Sequence, residues 1–461
     1  MNKKSILCLL LLLITIVNVK DVNAQYVQPD WSKNAVVYEV NLRQYSPEGR
    51  IKEFIEELPR LQNLGVDVLW FMPLHPIGVA NRKGSLGSYY SVKDYFAISE
   101  EFGTEEDFKR LVEKAHALKM KVIIDWVANH SSWDNQWLTD HPDWYVKNKE
   151  GEIVTQYDWT DVAKLDYSNR DMRTEMIKAM QHWVKVYDID GFRCDVAFLV
   201  PLDFWVEART ELEKIKPMYM LAEMEWNADI TPTPDAYFNT AFNASYGWNF
   251  MGVTSDYVNG KKTLEQLKSE LKTNYSKFPS QMHKLYFLTN HDENSWNGTV
   301  DEKYGNNWQQ VGVMVYTLPQ ALPLIYTGEE VALNRRLSFF DKDPITSTEW
   351  SNDSRTQWYQ NITNLRNTIP AFASNSGDIN LNDIKVNMLE GDANSVLVYK
   401  RQAIKSEAYV LINFSDKPAT FNLNKFKVSK FKKYKSSSNA KQTLNKKSIV
   451  MAPNSYVIYY K

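Results

Sequence analysis

From Ala35 to about residue 370 the chain repeats one plan, a short apolar strand followed by an amphipathic helix, and few architectures accommodate that repeat. Strands are predicted at 36–40, 65–71, 122–125, 191–195, 218–223, 285–290 and 322–326, with a further one in the 237–243 region. Between them lie helical patterns. Residues 51–64 form one, and Thr104 opens another, with Asp107 at the capping-box spacing and Phe108, Leu111, Val112, Ala115 and Leu118 on one face. A third carries Met172, Met176, Met180, Trp183 and Tyr187.

Buried strands alternating with crossover helices imply a parallel sheet, and roughly eight such units imply a closed (β/α)8 TIM barrel. A doubly wound open sheet is the alternative, but no glycine-rich dinucleotide or phosphate loop follows any strand. The barrel is expected over residues 25–375, interrupted after the third strand by a subdomain at 131–165 rich in Trp133, Trp137, Trp144, Tyr157 and Trp159. Beyond about residue 375 the helical period gives way to short strands at 395–400, 408–413, 419–423 and 456–460, so 376–461 reads as an antiparallel, sandwich-like β-domain. Its lysines, Lys425 to Lys435, suit an exposed sheet edge that must not pair with another chain.

Residues 1–24 read as a signal peptide: Lys3 and Lys4, an apolar run over 5–19, and Val22-Asn23-Ala24 before a cleavage point at Gln25. The mature chain is therefore expected outside the cytoplasm, periplasmic or extracellular. The run is shorter than the ~20 apolar residues of a membrane span, and no later stretch approaches that length. Once Cys8 is removed only Cys194 remains, which rules out an internal disulfide. With 54 Lys+Arg against 56 Asp+Glu the chain lacks the basic footprint of a nucleic-acid binder. Fifteen Trp and 26 Tyr supply flat faces with polar tips, suited either to packing or to a wet ligand such as a sugar.

Active sites of such barrels lie where strands end, and there polar residues accumulate. Asp125, Asn129 and His130 follow one strand, Arg193 and Asp195 the next, then Glu223, and later His291 and Asp292. Each alone could cap a helix or satisfy a buried partner, but four such strand ends converge on one mouth. Without HExxH, metal-type Cys/His spacing or a phosphate loop, carboxylate chemistry is the simplest explanation, and glycoside hydrolysis is the reaction that uses it. A retaining glycosidase pairs a carboxylate nucleophile with a carboxylic acid ~5 Å away, and their environments must differ. Arg193, two residues before Asp195 on the same strand face, would keep Asp195 ionised; Glu223 has no cation beside it in sequence and fits the acid.

These motifs resemble the α-amylase family of retaining glycosidases (glycoside hydrolase family 13). Four match in order: Asp125-Trp-Val-Ala-Asn-His130, Gly191-Phe-Arg-Cys-Asp-Val-Ala197, Ala222-Glu223 and Thr289-Asn-His-Asp292. The resemblance implies Asp195 as nucleophile, Glu223 as general acid/base and Asp292 as the third carboxylate on the sugar hydroxyls. Around the same ring it implies Arg193, His130, His291 and Tyr90, the last in Ser88-Tyr-Tyr-Ser-Val-Lys-Asp-Tyr95. The stretch from Pro323 to Glu329 and the β-rich tail are also similar to the family's last barrel strand and C-terminal domain.

Calcium is the one cofactor the resemblance brings up. Two of its usual ligand positions hold Lys164 and Leu199, and the other calcium loop is replaced by Tyr45-Ser-Pro-Glu-Gly49, so no essential metal is expected. Asp125 and Asn129 then hold the loop and Arg193. The segment around Asp195-Val-Ala197 is similar to the neopullulanase and cyclomaltodextrinase branch, which accepts α-1,4 and sometimes α-1,6 links. The expected partner is an α-glucan or maltooligosaccharide, with Trp226, Trp296 and Trp133 as outer sugar platforms or packing residues. A transglycosylase or isomerase using the same covalent intermediate, and a non-catalytic glucan-binding protein, are the alternatives.

Overall fold

A computed structural model of the chain describes residues 26, 28–225, 234–276, 278–279, 281–374, 387–389, 396–422, 432–435, 443–444 and 448–461. Trp226 and the segments 1–24 and Lys425 to Lys430 lie outside them. Eight parallel strands close a barrel: β1 (Val37–Val40), β2 (Val68–Phe71), β3 (Lys121–Trp126), β6 (Gly191–Cys194), β7 (Tyr219–Ala222), β8 (Ala244–Tyr246), β9 (His283–Tyr286) and β10 (Ala321–Tyr326), with β10 pairing back onto β1. The open-sheet alternative is thereby excluded. Between β3 and β6 a small antiparallel pair, β4 (His130–Ser132) and β5 (Val162–Lys164), forms the frame of the insertion.

Strand parity explains the arrangement. Alternate residues point inward, and Val37, Val68, Ile123, Leu221, Ala244, Leu285 and Leu324 fill the barrel interior as one buried cluster. The opposite faces pack with the surrounding helices into the larger core. Gly191 starts β6 because a methyl there would stand 1.9 Å from the Tyr219 carbonyl oxygen. The helix Arg170–Tyr187 begins at Asn169, whose side chain accepts the N–H groups of Asp171 and Met172. It buries Met172, Met176, Met180, Trp183 and Tyr187 on one face. Thr104 and Asp107 close the expected capping box at Glu105–Ala117.

One predicted strand is corrected. The 237–243 region falls largely in a helix, Pro234–Thr240, and the barrel strand comes just after it. Tyr237, Phe238, Ala241 and Phe242 are buried at helical spacing, whereas the true strand, Ala-Ser-Tyr, is too short and too small to carry a strand signal. The ninth strand likewise begins two residues earlier than expected, because buried His283 and Lys284 belong to it.

The C-terminal part forms two antiparallel sheets. One has the order β11 (Asn387–Leu389), β12 (Val396–Ala403), β13 (Ser406–Asn413), β18 (Ser455–Tyr460), β15 (Lys432–Lys435); the other β14 (Ala419–Asn422), β17 (Ser448–Met451), β16 (Thr443–Leu444). Val398, Leu411, Phe421, Ile449 and Val457 pack within one cluster of this part. Lys432, Lys433 and Lys435 lie on an edge strand. The sheet is fastened to the barrel where Trp358 Nε1 donates to Tyr456 OH at 3.0 Å and Arg401 Nη1 to the Thr317 carbonyl at 2.5 Å. Cys194 is buried and free, and no helix among the described residues is long and apolar enough to cross a membrane.

Candidate active site

At the C-terminal mouth the inward columns change from apolar to polar. Val37 is followed two residues on by Glu39, Ile123 by Asp125, Gly191 by Arg193, Leu221 by Glu223 and Ala244 by Tyr246. The barrel ladder continues one step past the strands, with Asp195 N–H bonded to the Trp126 carbonyl at 3.0 Å and Glu223 N–H to the Cys194 carbonyl at 2.9 Å. Both carboxylates are therefore carried on fixed backbone.

Arg193, fully buried, is the centre. Its Nη1 lies 2.8 Å from Asp125 Oδ1 and 2.9 Å from Asp195 Oδ1, its Nη2 3.0 Å from Glu223 Oε2, and its Nε donates to Tyr246 OH at 3.0 Å. Trp70, Tyr90 and Tyr246 surround the guanidinium with ring centroids 5.3 to 5.7 Å away. Glu223 Oε2 also accepts the Val196 N–H at 2.8 Å. To present that N–H, Val196 takes a left-handed backbone, φ 35°, which a β-branched residue adopts only under constraint from its surroundings.

A second chain joins this centre to the far wall. His291 Nδ1 is 2.5 Å from Glu39 Oε1, its Nε2 is 2.7 Å from Tyr90 OH and 3.3 Å from Asp292 Oδ2, and Tyr90 OH donates to Asp125 Oδ2 at 3.1 Å. Burial opposes an imidazolium, but the carboxylates of Asp292 and Glu39 outweigh it and lift His291 to about 9. His130 is the opposite case: burial lowers it to about 3 against a hydrogen bond to the Tyr90 backbone, and Asn129 Nδ2 lies 3.1 Å from its Nδ1.

The carboxyl groups titrate as a set. Burial pushes Asp195 well above the usual carboxylate range, the charge of Glu223 adds to this, and Arg193 opposes it. Burial likewise raises Asp125 against Arg193, Asp292 against His291, and Glu39 against His291. The expected contrast between Asp195 and Glu223 is thus corrected: Arg193 contacts both.

Above this layer opens a cavity of about 450 Å³. Of the predicted residues, Asp195, Glu223, Asp292, Tyr90, His130 and His291 line it, while Asp125 and Arg193 form the fully buried layer beneath. Trp296 stands at the rim, half exposed, beside Phe339. Trp133 does not line the cavity; its indole N–H donates to the Thr160 carbonyl at 3.0 Å and steadies the insertion. Trp159, one of the aromatics expected in the inserted subdomain, stands in the wall, whereas sequence reasoning missed Glu39 and Tyr246, and also Lys83 and Asp161. A glutamate inside an otherwise apolar strand was the available signal for Glu39.

The calcium brought up by the resemblance can be tested against the side chains. Lys164, on β5, pairs in register with His130, and Leu199 ends the 3-10 turn Ala197–Leu199. An ammonium and an isobutyl group offer no oxygen to a hard cation, so these residues do not fit the ion.

A closed parallel barrel whose mouth gathers carboxyl groups around one arginine defines a barrel glycosidase. The family described as "Alpha amylase, catalytic domain" matches residues 21–150 and 140–369, and the chain belongs to it. The chain is 26% identical over 414 residues to the alpha-amylase MalA of Haloarcula japonica, covering 86% of this chain and 58% of that one. The crystal structure of an alpha-amylase from Lactobacillus plantarum superposes with TM-score 0.80 at 28% identity, covering 94% of this chain and 99% of that one. A noncanonic maltogenic alpha-amylase from Thermotoga neapolitana gives 0.79 at 26% identity, covering 93% and 99%. The chain is a glycosidase of the group that acts on α-glucans.

Proposed function

We propose that the protein is an exported retaining hydrolase of α-1,4-linked maltooligosaccharides, working through a covalent glycosyl-aspartate and needing no calcium. The observation that carries this is the sharing of Arg193 between Asp195 and Glu223. One guanidinium thus holds both carboxyl groups at the same mouth, and the retaining mechanism, with Asp195 as nucleophile and Glu223 as acid, is the one that the family implies.

The nucleophile is the carboxylate form of Asp195, which Arg193 favours against burial; with its Oδ1 held there it attacks the anomeric carbon through Oδ2 as the glycosidic C–O bond breaks, and Glu223 gives its proton to the departing oxygen. Water then enters on the same face, Glu223 takes its proton, and the ester to Asp195 breaks, restoring both groups. Asp292, the His291 imidazolium, Tyr90 and His130 surround the ring whose anomeric carbon reacts. Desolvation by the entering sugar strengthens each of these contacts. Export is supported by the basic start, apolar run and small residues of 1–24.

The test is incubation of maltooligosaccharides with the mature chain, with and without chelator, following the first-formed anomer by NMR. The α-anomer is expected; Asp195→Ala abolishes turnover and Glu223→Gln lowers it about 10²–10⁴-fold. A β-anomer would overturn retention, longer products would move the assignment to transglycosylation, and silence would favour a binding protein. N-terminal sequencing of the exported protein is expected to begin at Gln25.

A further inference from the structure

The segment 79–87, which follows β2, is tied down on both flanks of the cavity. Toward the loop after β10, Ser85 donates from N and Oγ to Asp341 Oδ1 at 2.7 and 2.6 Å, and Leu86 N–H to the Phe340 carbonyl at 3.0 Å. Gly84, at φ +63°, lies so close to Phe340 that a methyl would stand 2.5 Å from its Cβ. Toward the insertion, Lys83 Nζ is 3.1 Å from Asp161 Oδ1 and Val79 N–H is 3.0 Å from Asp134 Oδ2. From below, buried Arg43 donates to the Gly87 carbonyl at 3.0 Å while pairing with Glu101 at 2.6 Å. The segment is a strap, and Lys83, Asp161 and Phe340 are walls of the active-site cavity itself.

Its position follows from the barrel order. Around the mouth run β1, β2, β3, β6, β7, β8, β9 and β10, so β7, which carries Glu223, faces β1 across the opening. The strap joins loops that follow β10, β2 and β3, and so spans the β1 and β2 side of the mouth, across from Glu223. If Glu223 is the acid, as in the function proposed above on which this inference rests, it must touch the glycosidic oxygen, so the leaving sugar lies on the β7 side. The remainder of the glycone then runs toward β1 and meets the strap.

We infer that the strap closes the glycone end of the cleft, so that the enzyme removes short units from the non-reducing ends of chains, with Lys83 and Asp161 taking the hydroxyls of the terminal sugar. Asp161, with a side chain only 5% exposed, can accept from such hydroxyls, and the Lys83 ammonium can donate to them. A chain continuing past this point would have to displace the ion pair and the Ser85–Asp341 contacts together.

The experiment compares p-nitrophenyl α-maltopentaoside with the same compound carrying an ethylidene bridge on the 4- and 6-hydroxyls of its non-reducing end, resolving the labelled products by chromatography. The free compound is expected to shorten from its unlabelled end, and the blocked one to react about 100-fold more slowly. Lys83→Ala and, separately, Asp341→Ala are expected to raise the blocked-to-free rate ratio by about tenfold or more while melting cooperatively. Equal cleavage of the two compounds by the unaltered enzyme, or an unmoved ratio in both folded variants, overturns the closure and leaves the hydrolase reading standing. Silence on the free compound overturns the hydrolase reading and the inference with it.

Discussion

His291 and Glu39 meet at 2.5 Å under the barrel mouth, one from the loop after β9 and the other from inside β1. The pair holds His291 as a cation with its Nε2 turned to Tyr90 and Asp292. A histidine raised to about 9 contributes stability that is fully present below its unfolded value of ~6.5 and is lost as pH rises through 9, about 3 kcal/mol in all. The same deprotonation removes the positive partner of Asp292. Activity is therefore expected to fall as pH rises through about 9. Glu39→Gln removes one of the charges that lifts the imidazole, so the alkaline limb of kcat/KM should move down by roughly one pH unit. An alkaline limb that stays in place in this variant would show that His291 does not control it.

Arg193 supports three carboxyl groups that, among the described residues, have no other buried guanidinium in their ion pairs. Replacing it with Met leaves Asp125 and Asp195 buried beside an apolar chain, a loss of about 3–5 kcal/mol at neutral pH. Carboxyl groups deprived of their cation are raised further, so the deficit should shrink as pH falls and they take up protons. Urea unfolding of wild type and Arg193→Met at pH 7.5 and 5.5 checks both magnitude and sign. An equal deficit at the two pH values would assign the cost to lost packing.

The barrel was legible because its strands are buried on both faces and its helices carry an uninterrupted apolar stripe. The short strand Ala244–Tyr246 was hidden, since three small or aromatic residues after a buried helix have no period to read. Asp195, Glu223 and Asp292 could be found from the rule that charge follows a strand. Glu39 sits inside a strand and Tyr246 ends one, and their meaning depends on facing Arg193 or His291 across the barrel, a relationship that spacing along the chain does not contain. The electrostatic contrast between Asp195 and Glu223 failed for the same reason: sequence places Arg193 beside one carboxylate, and the closed barrel brings the other to it.

His75 is buried among the rings of Tyr95, Trp126 and Trp183, and burial lowers it to about 3. With the folded value below the unfolded one, its contribution is present above ~6.5 and is lost as pH falls below that toward 3. At pH 5 the loss is about 2 kcal/mol. His75→Met removes it. The stability of wild type relative to the variant should thus decrease by about 2 kcal/mol between pH 7.5 and pH 5, measured by denaturant unfolding at both. A difference independent of pH would show that His75 is charged or solvated in the folded chain.

Lys164 and Leu199 stand where an oxygen donor would be needed to hold calcium. If these side chains are what excludes calcium, chelation should leave both turnover and the melting temperature of the wild type unchanged. Lys164→Asp together with Leu199→Asp places a carboxylate at each of the two positions. Calcium at about 100 times the dissociation constant of the new site would then stabilise the double variant by about 2.7 kcal/mol, and chelator would reverse the gain. Loss of wild-type melting temperature on chelation would place an ion elsewhere in the molecule. A double variant indifferent to calcium would show that more than two donors have been lost from this loop.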